Sequence, residues 1–449
     1  MGELLHIRRA PLVAGCKVDP VLLGVLAMIL GFAGCGPAPS PTESNRSWKG
    51  TQEPLDERSV RVVNEAGSLW SGDARLAEEL SIGVVEGAEE YMLGGVSGLA
   101  RTAERLYVAD RSVPVVRVYD AVTGKHLDDV GRRGSGPGEF QSPLGIGTAA
   151  DGRLFVRDQE AYRIVVFGPR GDPLDVYPMR GGFKTVARFV VTFDGTPYSP
   201  GRVSLDGNPQ WYRGMVPYGP RGQAGEVLVA PHGEGFEPPQ LAGPGPPCVS
   251  IPVPYAPEHV WAMGVDGSLV GGISDSYSFT IRRADGTEIH VEKQDATVPF
   301  DPDERAYHRR YYEAAYRFGC GPAWSWNGPD VPRVKPAFRA FLPQPDGGLW
   351  VLRHGRGERL GDSGCDPDPD PDGTRPGTPC WSDALIVDAF APDGRYRGRV
   401  RLPGAIEAWS LERVALLQER ALFVPVMDAV GTIRVKRYRL EAPSDPESP

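Results

Sequence analysis

The stretch GRRGSGPGEFQSPLGIGTAADGRLFVRDQEAYRIVVFGPRG, Gly131–Gly171, decides the fold. It opens with Gly131, Gly134, Gly136 and Gly138 and then turns into short β-like runs. A phosphate cradle needs Gly-x-Gly-x-x-Gly between a strand and a helix, so that helix N–H groups face the pyrophosphate. Here Glu139 stands where the third glycine should be, and Pro143 biases Ser142 away from helical backbone. The cluster therefore reads as a turn between strands.

The strands repeat. Leu106-Tyr-Val-Ala-Asp110 has a counterpart in Leu154-Phe-Val-Arg-Asp158, and Val116-Arg-Val-Tyr119 has one in Ile164-Val-Val-Phe167. A period of about 48 residues made only of strands points to a propeller. Written as strands A to D, the first unit covers 96–100, 105–110, 115–120 and 125–131, and the second 144–149, 153–158, 163–167 and 174–179. The third takes 187–193, 196–203, 211–218 and 226–229; the fourth 259–265, 268–273, 277–283 and 288–293. The fifth takes 338–343, 348–353, 384–390 and 396–402, and the sixth 409–417, 421–427 and 433–440. Asp-Gly turns at 151, 194, 266, 285, 346 and 393 punctuate them, as tight hairpins require. The sixth unit lacks strand D, and Leu80–Val85 is an apolar segment left over before the first. Because a closed ring leaves no bare edge, Leu80–Val85 is expected to complete the sixth unit.

Gly-x-Gly-Pro-Gly-Glu-Phe, then Asp151-Gly-x-Leu-Phe-Val-x-Asp158, then Arg163-Ile-x-x-Phe resembles the NHL-type six-bladed β-propeller family. The match is specific over about residues 80–180 and architectural over 181–441. The resemblance implies an all-β, six-bladed β-propeller closed by an N-terminal strand, with one inserted helix and long loops on one face. Most such proteins are binding scaffolds and a minority are enzymes, so function must come from the site. Some six-bladed propellers are metal-dependent lactonases with asparagines round the tunnel; this chain has only Asn45, Asn64, Asn208 and Asn327.

Charge and cysteines bound the setting. A net charge of −9 without a Lys/Arg block argues against nucleic-acid binding. Apolar residues at 41% support a core, while 57 glycines and 45 prolines fit many turns. Arg8, Arg9 and Lys17 precede the apolar run Val21–Ala33, which suits a signal-peptide core and is too short to span a bilayer, a task for about 20 residues. Phe32-Ala-Gly-Cys35 resembles a bacterial lipobox, which implies lipidation at Cys35; a leucine is usual where Phe32 stands. The expected layout is a signal peptide over 1–35, a flexible tether over 36–75, the propeller over 76–441 and a disordered tail over 442–449. This makes the protein an extracytoplasmic, lipid-anchored monomer of the bacterial envelope. Cys248, Cys320, Cys365 and Cys380 then suggest two disulfides among three connectivities. A Cys365–Cys380 bond would close one loop and leave Cys248–Cys320 to staple two others.

Insertions mark the working face. Residues 230–258, 294–337 and 354–383 fall in D-to-A or B-to-C connections, which leave a propeller from the same side, and all four mature cysteines lie in them. The second insertion predicts a helix over 302–318, with Asp301 as N-cap, Pro302 at its first position and Gly319 at its end. Its stripe Tyr307, Tyr311, Ala314 and Phe318 suits packing, whereas Tyr312, Tyr316, Trp324 and Trp326 are candidates to face a ligand groove. Asp110, Arg111, Asp158 and Arg163 are further ligand candidates at the tunnel mouth, set against a role in capping turns and pairing blades. Asp368, Asp370 and Asp372 begin like a Ca²⁺ loop, but Pro379 replaces the bidentate Glu and prolines stiffen the run. No other cofactor is expected. The seven histidines form no close pair in sequence, and no Gly-x-Ser-x-Gly elbow occurs. The expected function is a binding or scaffold module for an envelope protein, peptide or glycan. The alternative is a hydrolase or lyase, lactonase-like with or without a metal, at the tunnel mouth.

Overall fold

The computed structural model describes residues 47–179, 188–204, 211–245, 248–294, 297–360, 380–418, 420–428 and 430–443. The expected signal peptide with Cys35, residue Cys365, the Asp368, Asp370 and Asp372 loop, and residues 444–449 lie outside that range.

The chain folds as a β-propeller. Consecutive strands form antiparallel sheets, the first made of Val96–Arg101, Arg105–Asp110, Val115–Asp120 and His126–Val130. The second is made of Pro143–Thr148, Leu154–Asp158, Arg163–Phe167 and Pro173–Pro178. Both agree with the strands read from the repeat to within a residue or two. The third sheet is less regular. Its first and last strands, Val190–Val191 and Leu228–Val229, are two residues each. The fourth runs from His259–Met263 to Glu288–Lys293, and the fifth from Ala340–Pro343 to Tyr396–Arg401.

Apolar side chains of neighbouring sheets meet in six clusters. Val118 and Val156 lie in the cluster between the first and second sheets, and Phe155 and Val216 in the one between the second and third. Met215 meets Met263, Phe279 meets Phe341, and Trp350 meets Leu422 in the next three. Ile82, Leu106 and Phe423 complete the circuit from the last sheet back to the first. Each sheet is therefore buried on both faces, which is why its inner strands read as continuous apolar runs rather than alternating ones.

Ring closure comes from the N-terminal side, as the leftover strand suggested, but with different bounds. The strands Lys49–Pro54 (β1), Ser59–Ala66 (β2) and Ala74–Ile82 (β3) precede the first sheet. β3 pairs antiparallel with Ile433–Glu441, from Arg75 opposite Glu441 to Ile82 opposite Val435. It starts six residues before the expected Leu80 and ends at Ile82, because Gly83 leaves the ladder with φ of 129°. Ala74 and Arg75 also pair in parallel with Val400 and Arg401 of the fifth sheet.

Two further differences are corrections. The tether expected over 36–75 is structured from β1 onward. β2 pairs in parallel with Glu288–Lys293, the outer strand of the fourth sheet, and β1 pairs antiparallel with β2. Val62 is fully buried there, and Asn64 joins two sheets. The Asn64 side-chain amide donates to the carbonyls of Glu292 (3.2 Å) and Gly394 (3.1 Å), while its oxygen accepts from Tyr396 N (2.7 Å) and Trp48 Nε1 (2.7 Å). Secondly, the strand expected over 409–417 is mostly a short helix, Ala408–Arg413, followed by the strand Leu416–Gln418. Ser410 and Leu411, adjacent in sequence, are both buried in it, which a strand's two-residue period would not give.

The glycine cluster at 131–138 is a turn with its own internal ligand. Gly131 has φ of 74°, and a Cβ there would come within 2.1 Å of the Phe140 ring. Gly136 N donates to Glu139 Oε2 at 2.8 Å, and Arg132 Nε donates to Glu139 Oε1 at 2.9 Å. The carboxylate of Glu139 thus takes the place that a phosphate would need.

The two N-terminal pairings differ in consequence. A chain beginning at residue 67 loses β1 and β2 and exposes an edge that buried Val62, at a cost of about 2–3 kcal/mol; it stays folded with a lower melting temperature. A chain beginning at residue 86 also loses β3 and opens the ring, and it should lose its cooperative thermal transition. Circular dichroism melting of the two truncations checks this; equal melting temperatures would contradict it.

Candidate functional site

The three insertions converge on one cleft of about 840 Å³. The first contributes the hairpin Gln240–Gly245 and Cys248–Pro252, followed by the segment 253–258 with Tyr255. The second contributes the helix Pro302–Cys320 (α1), whose Tyr312 and Tyr316 line the cleft. The third is represented by His354. Phe236, Phe338, Arg339 and several prolines complete the wall.

α1 forms as its caps dictate. The Asp301 side chain accepts from Asp303 N at 2.8 Å, and Pro302 occupies the first position. The helix continues through Gly319 and is capped at Gly321, two residues beyond the expected end. Its buried residues are Glu304, Tyr307 and His308, and Phe318 is exposed, so the expected packing stripe holds only at its N-terminal end. The Cys248–Cys320 disulfide joins the hairpin to the helix C-terminus, as one of the expected pairings has it. Cys380 is also disulfide-bonded.

Beneath the cleft lies a buried charged cluster. The Lys335 ammonium is fully buried; it stands 2.6 Å from Glu304 Oε1 and 2.6 Å from Asp383 Oδ1, and donates to the Gly355 carbonyl at 3.0 Å. Asp383 Oδ2 accepts from His354 Nδ1 at 2.6 Å. Burial alone would raise the Asp383 pKa, but the His354 hydrogen bond and the Lys335 charge outweigh it and hold the carboxyl at about 2. Burial also keeps His354 below the ordinary imidazole value despite its carboxylate partner, and brings His308 down to about 4. At neutral pH the His354 ring is therefore uncharged, with Nδ1–H directed to Asp383 and Nε2 left unprotonated.

Glu304, His308 and Asp383 offer ligand atoms within 4.8 Å of one another, the spacing of a metal site. Lys335 already supplies the cation between the two carboxylates, so these residues do not fit a metal in this arrangement.

Tyr255 is the hub of the aromatic wall. Its ring centroid lies 5.0 Å from Phe300, 4.9 Å from His308, 5.2 Å from His354 and 6.3 Å from Tyr312. Its backbone has φ of 58°, an uncommon conformation for a bulky residue and one held only where surrounding contacts demand it. Burial pushes its hydroxyl pKa upward, so the phenol stays protonated.

The sequence candidates divide. Tyr312 and Tyr316 line the cleft, and the Tyr316 hydroxyl donates to the Pro252 carbonyl at 3.1 Å. Trp324 is buried away from it, donating Nε1 to the Ala242 carbonyl at 3.0 Å, and Trp326 lies under Arg309 with its Nε1 on the Pro329 carbonyl. These two tryptophans fasten the end of α1 to the hairpin. Asp110 is fully buried and accepts from Gly94 N (2.8 Å), Gly95 N (3.0 Å) and Ser112 N (2.9 Å). Asp158 does the same for Gln141 N and Ser142 N, with Arg163 Nε at 3.4 Å. Each aspartate ties the second strand of its sheet to the loop before the first strand, and Arg163 reinforces the one at Asp158 by donating to the carbonyls of Ser135 and Glu139. Arg111 is exposed near the channel mouth.

Sequence reasoning missed Tyr255, Glu304, His308, Lys335, His354 and Asp383. The histidines looked isolated because 46 positions separate His308 from His354, yet both rings pack on Tyr255. One signal was available: His354 and Asp383 bound the third insertion on strands Leu349–Arg359 and Trp381–Phe390, which pair with each other.

No protein-family model matches the sequence, and no curated protein is similar to it. Among solved structures, the chain is similar to a DUF4221-family member from Bacteroides vulgatus, with TM-score 0.43, 9% identity, and 83% of this chain and 99% of that chain covered. It is also similar to virginiamycin B lyase from Staphylococcus aureus, with TM-score 0.33, 9% identity, and coverage of 87% and 98%. A third is the PQQ-bound aldose sugar dehydrogenase from Streptomyces coelicolor, with TM-score 0.36, 14% identity, and coverage of 82% and 99%. Likeness of this degree says nothing of function, and the fold description rests on the strand order above.

Two outcomes follow from the site. The Cys248–Cys320 bond spans 72 residues, and chain entropy sets its stabilising contribution at up to about 4 kcal/mol. Cys248→Ser should lower the melting temperature; an unchanged melting temperature would contradict a structural role. The second outcome concerns pH. An unfolded histidine takes its proton near 6.5 and His308 only near 4. Between those values the unfolded state binds more protons, so stability falls as pH drops from about 6.5 to about 4. His354 acts in the same direction. Asp383, lowered from 3.8 to about 2, adds a further loss as pH falls below 3.8. Urea denaturation in pH steps should give a shallower slope for His308→Gln; an unchanged slope would contradict the buried neutral imidazole.

Proposed function

We propose that the protein is a binding module of the bacterial envelope, a six-bladed propeller of NHL type that holds a peptide or glycan chain in the cleft of its insertion face. The observation that carries this reading is the cleft itself. About 840 Å³ is framed by Tyr255, Tyr312, Tyr316, Phe236 and Phe338, from segments that only the three insertions and their flanks supply. Aromatic faces and proline rings give a ligand large contact area at little conformational cost, and sugar or peptide backbones stack on them. Phe32-Ala-Gly-Cys35 and the disulfide-bonded cysteines support an extracytoplasmic, lipid-tethered location.

The second reading, a hydrolase or lyase, moves from the tunnel mouth to the cleft. His354, held at 2.6 Å by Asp383 and uncharged at neutral pH, is a general base of the type such enzymes use. A substrate-turnover screen with wild type and His354→Ala separates the two readings: turnover lost in the variant favours the enzyme.

Binding is checked by probing peptide and glycan arrays with the labelled full chain and with Tyr312→Ala/Tyr316→Ala. Truncating two aromatic anchors should weaken binding at least about tenfold. Binding unchanged by the double substitution would overturn the cleft assignment.

A further inference from the structure

The cluster beneath the cleft brings an amine and a carboxyl into contact away from water. Lys335 is held in place by its backbone: its N donates to the Val298 carbonyl at 2.9 Å, and Pro299 bridges to Val334 beside it. Its side chain is fully buried, with Nζ 2.6 Å from Asp383 Oδ1, 2.6 Å from Glu304 Oε1 and 4.8 Å from the centre of the Phe300 ring. Glu304 stands in the first turn of α1. A Cβ at Gly357 would come within 2.2 Å of Glu304 Oε1, so the glycine makes room for this carboxylate. Asp383 lies opposite Gly357 in the pair of strands Leu349–Arg359 and Trp381–Phe390. Three separate segments thus fix the three groups, none of which can drift apart without the fold moving.

As an ion pair these groups do not react, because an ammonium has no lone pair and a carboxylate is a poor electrophile. The Lys335 charge is itself one of the causes that keep Asp383 ionised. Moving one proton from Nζ to Asp383 therefore removes both charges together and leaves the net charge of the cluster unchanged. Burial penalises the charged forms and so favours that transfer. Glu304 and Asp383 present oxygens within 4.8 Å of each other, with Nζ in contact with both, so Glu304 can carry a proton from one reacting group to the other. His354 Nδ1 donates to Asp383 Oδ2 at 2.6 Å, where negative charge develops when a nucleophile adds to the carboxyl carbon.

We propose that Lys335 and Asp383 become joined through a side-chain amide, with Glu304 as the proton relay and His354 as the donor to the carboxyl oxygen that is retained. The neutral Nζ attacks Cγ of the protonated carboxyl, and the N–C bond forms. Glu304 takes a proton from the nitrogen and delivers it to Oδ1. The Cγ–Oδ1 bond breaks, Oδ1 leaves as water, and Glu304 is a carboxylate again. The step needs no further reactant. Fixed contact and exclusion of water supply the drive that the same two groups lack in solution. The bond links positions 48 apart in sequence and fixes the second insertion to the third. The ion-paired cluster is the state from which it forms, and the pH dependence ascribed to Asp383 belongs to the unjoined chain. The bond does not depend on what the cleft holds, and either inference can fail without the other.

Mass spectrometry of the purified full chain, with its cysteines reduced and alkylated, tests the proposal. Peptide mapping should find one branched peptide that joins the segments around Lys335 and Asp383 and is one water lighter than the two segments together. Lys335→Arg removes the attacking amine, and its map should show two linear peptides. Glu304→Gln keeps both reacting groups but removes the relay, and it should leave most chains unjoined. Circular dichroism establishes that each variant is folded; should a variant fail to fold, the wild-type map decides alone. Only linear peptides from the folded wild-type chain, or joining as complete in Glu304→Gln as in wild type, would overturn the proposal.

Discussion

The pairing of β3 with Ile433–Glu441 is the constraint from which the rest of the molecule follows. A propeller sheet has no stability of its own, because each needs a neighbour on both faces to bury its apolar side chains. Without β3 the last sheet would have three strands and an open edge, and the cluster that joins Ile82 to Leu106 and Phe423 would lose a wall. β3 closes the circle within the last sheet and leaves the loops on the insertion face free to vary. Those loops carry the long insertions, and closure fixes the angle at which they meet.

The insertions are then locked to one another by polar groups rather than by a large core. Lys335 from the second insertion grips Asp383 at the end of the third and Glu304 on α1, and Asp383 in turn orients His354. The aromatic hub at Tyr255 brings in the first insertion. A buried ammonium between two carboxylates is weak as a source of stability compared with an apolar filling, but removing one partner leaves a buried uncompensated charge and costs about 3–5 kcal/mol. The cluster thus acts as a specificity device that holds one mutual arrangement of three segments distant in sequence. The same arrangement sets the cleft wall, so the chemistry of the site and its architecture rest on the same few side chains.

Much of the fold was legible because propeller strands announce themselves locally. Short apolar runs, Asp-Gly hairpins and the repeat between 106–119 and 154–167 placed the first, second and fourth sheets closely. The N-cap at Asp301, the Cys248–Cys320 pairing and Tyr312 and Tyr316 in the cleft wall were legible for similar local reasons. What escaped depends on partners far along the chain. β1 and β2 are polar strands with little inward apolar surface apart from Val60 and Val62, and their order comes from backbone hydrogen bonds at a sheet edge, which composition does not advertise. Lys335 reads as a surface residue until Glu304 and Asp383, 31 and 48 positions away, supply the opposite charge. The helix Ala408–Arg413, at six residues, is too short to show a helical period of apolar positions.

The central claim is that three insertions form one cooperative site clamped at Lys335. Hydrogen–deuterium exchange on wild type and Lys335→Met addresses it most directly. The account predicts faster exchange together in 253–258, α1 and 381–386, with 105–120 and 154–167 as protected as before. Faster exchange confined to the residues beside position 335 would contradict it.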